Sequence, residues 1–173
     1  MKKSQNYNAM LKNLYLAIEQ KLMAINDEQG QPLFKHFDLW NRQVEFIEQE
    51  TPFVTPAVFV EFMPLQWRTD KSFTQDATVT VRLHIVTPWH ANTAANVPKV
   101  SREDALAYLD IPGVVFRQLH GQTAEFADAN FNALVRTGSV INHDHERFVD
   151  SVEEYQCHLK DLSCRDDSWM QGF

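Results

Sequence analysis

One stretch of the chain, ATVTVRLHIV at residues 77–86, alternates strictly between apolar and polar side chains. Successive side chains of a β-strand point to opposite faces of its sheet, so this pattern predicts an antiparallel strand with one buried and one solvated face. The apolar residues should face helices, and the polar residues should lie together on the open face. Those polar residues are Thr78, Thr80, Arg82 and His84.

The helical spacing of apolar residues predicts two main helices. The first covers about residues 7–25, and its apolar stripe should pack against the buried face of the alternating strand. That stripe includes Tyr15, Ile18 and Leu22. The second helix is predicted over residues 101–121, with Ser101 as its N-cap and a break near Pro112.

Further strands are predicted where residues alternate or where β-branched and aromatic residues are concentrated. They are a short run at 33–40 and longer runs at 57–62, 131–142 and 151–162. The stretches 65–76, 87–99 and 142–150 are predicted to be connections. This order of helices and strands predicts an α+β domain whose antiparallel sheet of four to five strands carries two main helices on one face.

Length and charge limit the classes of function that the chain can have. Its 173 residues suit a single domain over 1–173, with 163–173 expected to be a loose tail. A net charge of −7 without a basic stripe argues against binding to nucleic acid or to anionic membranes. No signal peptide or membrane span is expected, and the two cysteines, Cys157 and Cys164, are expected to stay reduced.

The stretch INHDHERFVD at residues 141–150 contains the most obvious candidates for chemistry. His143 and His145 are two positions apart, so on a strand both could reach one zinc or nickel ion. The HDHE order lacks the helical spacing of the HExxH motif, and no third ligand is marked by its spacing. Asn, Asp and His accept turn geometry readily, so we predict an exposed connection, including Asp144 and Glu146, without a bound metal.

The remaining candidates do not form a catalytic pattern. Cys157 and His158 are neighbours on a predicted strand, so they point to opposite faces and cannot pair as nucleophile and base. Cys157 shares its face with Tyr155 and Leu159, which predicts a buried, inert thiol. No carboxylate stands at a telling spacing from the other histidines, which are His36, His84, His90 and His120. Phosphate-binding loops, nucleophile elbows and CxxC pairs are also missing from the sequence.

The order of elements, with several local phrases, resembles the tail-terminator (tail-completion) proteins of long-tailed bacteriophages and prophages. In that family an amphipathic helix precedes a proline-led apolar strand, an alternating strand, a helix and two closing strands joined by an acidic polar loop. The corresponding stretches are LKNLYLAIEQKL, TPAVFVEF, TVTVRLHIVT, IPGVVFRQLHG, and ALVRTGSVIN followed by SVEEYQCHLKDL. The resemblance covers roughly residues 8–162, with a longer and more aromatic stretch than is usual at 26–56.

The resemblance implies a structural protein and not an enzyme. Such proteins form a homo-oligomeric ring, usually of six subunits, that caps the tail tube and meets the head connector. The implied partners are other copies of the chain and tail-tube or head-connector proteins, in the bacterial cytoplasm or in the virion. No catalytic residue and no cofactor are implied.

We expect the contact surface to be the open face with Thr78, Thr80, Arg82 and His84, together with the connections 65–76 and 87–99. A solvent-facing sheet surface is the alternative reading of that face. Two other functions stay open from the sequence: a small α+β enzyme or ligand-binding domain that uses the His143–Glu146 loop, and a toxin-neutralising or regulatory partner protein.

Overall fold

The long strand β4 (Gln75–Pro88) organises the sheet, because its fourteen residues offer pairing positions to three other strands. The computed structural model describes residues 10–45, 53–71, 74–89, 93–123, 131–143 and 147–161. The other strands are β1 (His36–Leu39), β2 (Ala57–Phe62), β3 (Gln66–Thr69), β5 (Val135–Asn142) and β6 (Phe148–Asp161). The helices are α1 (Met10–Met23), α2 (Lys99–Leu106) and α3 (Ile111–Leu119), with a 3₁₀ turn at Ala107–Asp110 between α2 and α3.

The sheet is mixed and has six strands within the described residues, in the order β1–β2–β4–β6–β5 with β3 beside β4. β6 pairs along the whole of one side of β4, whereas β2 and β3 share the other side. The α+β class is therefore confirmed, but the prediction of a purely antiparallel sheet with four to five strands is wrong on two points. β1 pairs with β2 in parallel, and β3 lies inside the stretch 65–76 that was predicted to be a connection.

The helix-facing side of the sheet follows the predicted register. Val79, Val81, Leu83 and Ile85 are buried in one cluster that also contains residues of α1 and α3. The helix residues in this cluster include Leu14, Ile18, Leu22, Val115 and Leu119, and Tyr15 packs against its edge. Alternation with a period of two therefore places every second side chain of β4 in the core.

The second helical region begins and divides differently from the prediction. α2 begins at Lys99 after Pro98, and no side chain caps it, so Ser101 is not its N-cap. Pro98 occupies the N-cap position with φ −51° and ψ 139°, and its carbonyl accepts the Arg102 N–H at 3.1 Å. The predicted break is confirmed, since a separate helix starts at Ile111 with Pro112 in its first turn.

The opposite side of the sheet, which we call the outer face, is partly covered by its own smaller apolar cluster. Val44, Ala57, Phe59 and Val86 are buried there, with aromatic side chains packed around them. Those aromatic residues are Trp40, Phe53 and Phe148. The segments 40–45 and 53–56, between β1 and β2, therefore cover one end of the outer face, which the sequence analysis expected to be open along its length.

Within the described residues, no helix is long and apolar enough to cross a membrane.

Candidate functional site

The four residues proposed as a contact surface all lie on the outer face, but they differ in exposure. Thr78 is exposed, Thr80 and Arg82 are half-buried, and His84 is buried. The difference arises because Trp40 stacks on His84 and the smaller apolar cluster packs at that end of β4. The structure thus divides the predicted surface into an open part and a covered part.

The open part is a row of polar side chains on β4 and β6, which we call the polar ladder. It consists of Thr78, Thr80, Arg82, Glu154, Gln156 and His158. Each β4 residue is bonded to the residue opposite. Thr78 Oγ1 lies 3.2 Å from His158 Nδ1, Gln156 Nε2 donates to Thr80 Oγ1 at 3.2 Å, and Arg82 Nε donates to Glu154 Oε2 at 3.1 Å. These cross-strand bonds hold the side chains in place at the surface.

A shallow polar groove of about 340 Å³ runs beside the ladder, between β3 and β4. Gln66 and Arg68 of β3 and Asp76 of β4 line it next to Thr78 and His158. Its lining offers both donors and acceptors, which suits a wet contact with a polar surface better than the binding of an apolar ligand.

The covered part contains a cluster of charged side chains around His84, which we call the His84 cluster. His84 Nδ1 lies 2.8 Å from Asp150 Oδ2, and Nε2 lies 3.5 Å from Glu61 Oε2. The side chains of His84 and Asp150 are only 9% and 5% exposed. The imidazole also stacks on the Trp40 indole, with ring centroids 3.7 Å apart and planes within 3° of parallel.

Sequence analysis missed this cluster, because it found no carboxylate at a telling spacing from His84. Asp150 is 66 positions away along the chain and comes beside His84 only through the pairing of β4 with β6. A histidine held by an aspartate is the arrangement of a general base. Here the second ring nitrogen faces the Glu61 carboxylate at 3.5 Å, and not a hydroxyl or a thiol of the described residues.

A pocket of about 500 Å³ opens beside the His84 cluster, between the 40–45 segment and β5. Glu61, His84 and Asp150 contribute to its polar wall, whereas Val140 and Val152, which lie opposite each other on β5 and β6, form an apolar side. No residue pattern in the sequence pointed to this pocket, since its walls come from five separate parts of the chain.

The structure describes only part of the histidine-rich stretch at residues 141–150. His143 is exposed as predicted, and its ring lies 5.5 Å from that of Trp89 and 6.3 Å from that of Tyr108. Asp144, His145 and Glu146 lie outside the described residues. Among the residues that are described, no group of three or more His, Cys, Asp or Glu side chains could hold a metal ion. The absence of a metal from the 143–146 loop stays a prediction.

The Cys157–His158 pair has the predicted geometry. Cys157 is buried on the helix-facing side, and burial raises the pKa of its thiol to about 12. His158 is exposed on the outer face, in the polar ladder. The two side chains therefore cannot act together, and the thiol has little thiolate character. Cys164 lies outside the described residues.

A second buried ionic contact lies on the helix-facing side of β6. Glu153, whose side chain is 3% exposed, accepts a hydrogen bond from Arg136 Nη1 at 3.2 Å. The Arg136 guanidinium lies 4.1 Å from the centre of the Phe116 ring. Burial and the neighbouring Glu153 carboxylate together raise the pKa of the Tyr155 hydroxyl. This group connects β5, β6 and α3, and we assign it a structural role.

Comparison with known proteins gives little further guidance. No family model matches the chain, and no curated protein matches it. Among solved structures, it is similar to a chain of "Virion of native gene transfer agent (GTA) particle" with 16% sequence identity and a TM-score of 0.46. That alignment covers 87% of this chain and 98% of the other. Similarity at this level does not establish a shared fold, so function is argued below from the residues of this chain.

Proposed function

We propose that this chain is a structural protein of a phage-like particle, and more specifically a tail-terminator-type subunit. In this role it closes into a homo-oligomeric ring, of six subunits in the form that the resemblance implies, which caps a tail tube and meets the head connector. The role requires no catalytic residue, no cofactor, no nucleic acid and no membrane. It places the protein in the bacterial cytoplasm or in the virion.

The observation that carries this proposal is the polar ladder. Helices cover one face of the sheet, and the described segments 40–45 and 53–56 cover only one end of the other. Within the described residues the side chains of the ladder are half-buried or exposed. Its side chains are already bonded to each other, which lowers the conformational entropy lost when a partner binds. A surface of this kind favours a polar, hydrated contact between subunits.

The two sides of the sheet differ from each other, which favours a contact between unlike surfaces of neighbouring copies. β3 lies on one side of the sheet and β5 forms the edge on the other side. β5 exposes the apolar side chains of Val135, Val140 and Ile141, which a monomer would leave in water. A contact that joins the β3 side of one copy to the β5 edge of the next is heterologous, and a rotation that closes it produces a ring.

The test measures mass in solution, by native mass spectrometry or analytical ultracentrifugation, for the parent chain and for Arg82→Glu. We expect a closed ring for the parent and a folded monomer for the variant, because Glu at 82 would face Glu61 and Glu154 and reverse the charge of the ladder. Lys12→Glu, on the exposed side of α1, is the matched charge reversal and should still assemble. Arg82→Gln separates loss of the positive charge from the addition of a negative one.

Two outcomes would contradict the proposal. If Arg82→Glu assembles like the parent chain at ordinary salt, the ladder is not the subunit contact. If the parent is a monomer or dimer that carries stoichiometric metal, the alternative ligand-binding or enzymatic role of the His143–Glu146 loop is favoured instead.

A further inference from the structure

We propose that the pocket beside the His84 cluster binds an arginine side chain of a protein partner. This inference goes beyond the proposed function, because the pocket lies at the covered end of the outer face and not on the polar ladder. It depends on the charge, shape and lining of the pocket, and it holds whether or not the chain forms a ring.

The charged side chains that line the pocket favour a cation. Glu45, Glu61 and Asp150 are acidic, whereas Arg42 is the lining residue with a permanent positive charge. Arg42 lies 3.8 Å from Glu45 in an exposed pair that water screens, so its effect on the floor of the pocket is small. Arg82, just outside the lining, lies 3.7 Å from Glu61 Oε2. The three carboxylates still outnumber the two arginines, so the local net charge is negative and a guanidinium would be attracted to the pocket.

The side chains at the bottom of the pocket include acceptor atoms that can take hydrogen bonds from additional donors. Asp150 Oδ2 bonds to His84, but Oδ1 is buried and has no hydrogen-bond partner among the described residues. His84 Nε2 and Glu61 Oε2 face each other at 3.5 Å, and both are acceptors whenever Nδ1 carries the only proton of the ring. A planar guanidinium has five N–H donors, so it can bond to several such acceptors at once.

The walls fit the rest of an arginine side chain. Val140, which is exposed on β5, and Val152, which lies opposite it on β6, supply an apolar side for the methylene stem. The Trp40 indole supplies an aromatic wall. The volume of about 500 Å³ accommodates one such side chain with some water. A compact ammonium, which cannot bond in a plane to two carboxylates, would fit less well.

The wall that carries Trp40 is already held in position. Gln43 is buried, its Oε1 accepts from the Asn41 N–H, and its Nε2 donates to the Leu39 carbonyl, both at 2.7 Å. These bonds fix the turn that follows β1, and the stack on His84 fixes the indole itself. A pocket that is formed before the ligand arrives pays less conformational entropy on binding.

The experiment titrates the isotope-labelled full chain with N-acetyl-arginine methylamide and follows the indole N–H of Trp40 by NMR. We expect a saturable shift with a dissociation constant in the range of about 1–10 mM, as suits one isolated side chain. The neutral isostere N-acetyl-citrulline methylamide should give no saturable shift, and the lysine analogue should bind more weakly. Guanidinium ion at the same ionic strength should also bind more weakly, because it has no stem to contact Val140 and Val152.

Two variants test whether the acidic residues are responsible. Glu45→Gln and Glu61→Gln should each weaken binding by about threefold to tenfold, the loss expected for one charge-assisted contact. Glu45 is exposed, so its variant remains informative even if Glu61→Gln disturbs the fold. Glu28→Gln is the matched control, since Glu28 is exposed on the turn after α1 and does not line the pocket.

Three results would overturn the inference. They are equal binding of the citrulline analogue, unchanged affinity in the Glu45→Gln variant, and no saturable shift up to about 100 mM arginine analogue, a limit ten times the weakest expected constant. If guanidinium ion binds as well as the blocked arginine, the pocket recognises a free small cation and not the side chain of a protein.

Discussion

The His84–Asp150 pair gives the sharpest test of how this sheet is held together. Replacing His84 with leucine keeps an apolar side chain of similar size against Trp40 but removes the closest partner of Asp150. The Asp150 side chain is 5% exposed, and its Oδ1 already has no hydrogen-bond partner among the described residues. The variant therefore leaves a carboxylate in the protein interior with no close cation or donor.

The expected loss follows from that burial. Removing one partner of a buried ion pair typically lowers the free energy of unfolding by about 3–5 kcal/mol. Asp150→Val removes the carboxylate itself and leaves His84 with Glu61 as a partner, so we expect a smaller loss of about 1–3 kcal/mol. Combining both changes replaces the pair with apolar side chains and should recover much of the loss, giving a coupling energy of about 2 kcal/mol.

The assay is urea unfolding of the parent, the two single variants and the double variant, followed by circular dichroism. Arg82→Gln is the control, because it also removes a positive charge from the outer face. The Arg82 side chain is 39% exposed, whereas the His84–Asp150 pair is buried. The loss in that variant should stay below about 1 kcal/mol, as for exposed pairs. The reasoning fails if His84→Leu costs less than about 1 kcal/mol, or if the losses of the two single variants simply add in the double variant.

Three further predictions concern the core and the histidine-rich loop. Leu83→Ala should lower the free energy of unfolding by about 2–5 kcal/mol in urea titrations, because it leaves a cavity at a fully buried position; a loss below about 1 kcal/mol would contradict the assigned register. In a Cys164→Ser variant, iodoacetamide at pH 8 should not modify Cys157 in the folded protein but should modify it after unfolding, as measured by mass spectrometry. The reason is that a thiol pKa of about 12 leaves only about one thiol in ten thousand ionised at this pH. The double variant His143→Ala, His145→Ala should change stability by less than about 0.5 kcal/mol, and elemental analysis of the parent should find no stoichiometric zinc.

The sequence predicted the part of the fold in which one physical signal dominates. In β4 apolar and polar residues alternate with a period of two, and this pattern has no competing interpretation. It therefore identified both the strand and its buried face. β3 carries no such signal, since Gln66, Trp67, Arg68 and Thr69 are all exposed. It is a strand because the end of β4 beyond β2 offers unpaired backbone groups, and only the assembled sheet shows this.

The parallel pairing of β1 with β2 was hidden for a related reason. A parallel pair needs a long connection, and two described parts of it, 40–45 and 53–56, lie over the outer face. The aromatic residues of that stretch were noticed as unusual in number, but nothing local indicates which face of a sheet they cover. Trp40 and Phe53 pack against the cluster that contains Phe59 and Val86, and Trp40 stacks on His84, which explains why His84 is buried while Thr78 is exposed.

The His84 cluster shows most directly why a charged site can escape a local reading of the sequence. In the paired strands, His84 lies opposite Val152 on β6 and opposite Phe59 on β2. Asp150 and Glu61 are each two residues from those positions, so both are diagonal neighbours on the same face. A shift of one residue in either pairing would move that carboxylate to the other face of the sheet.

Asp150 is also the last residue of INHDHERFVD, the stretch whose histidines first suggested chemistry. The prediction that residues 142–150 form a connection is wrong at its end, because Phe148, Val149 and Asp150 already belong to β6. The sequence thus drew attention to the right neighbourhood through His143, which is exposed. In the described part of that stretch, Asp150 is bonded to a buried polar side chain, His84, which lies in the strand whose alternation is the clearest signal in the chain.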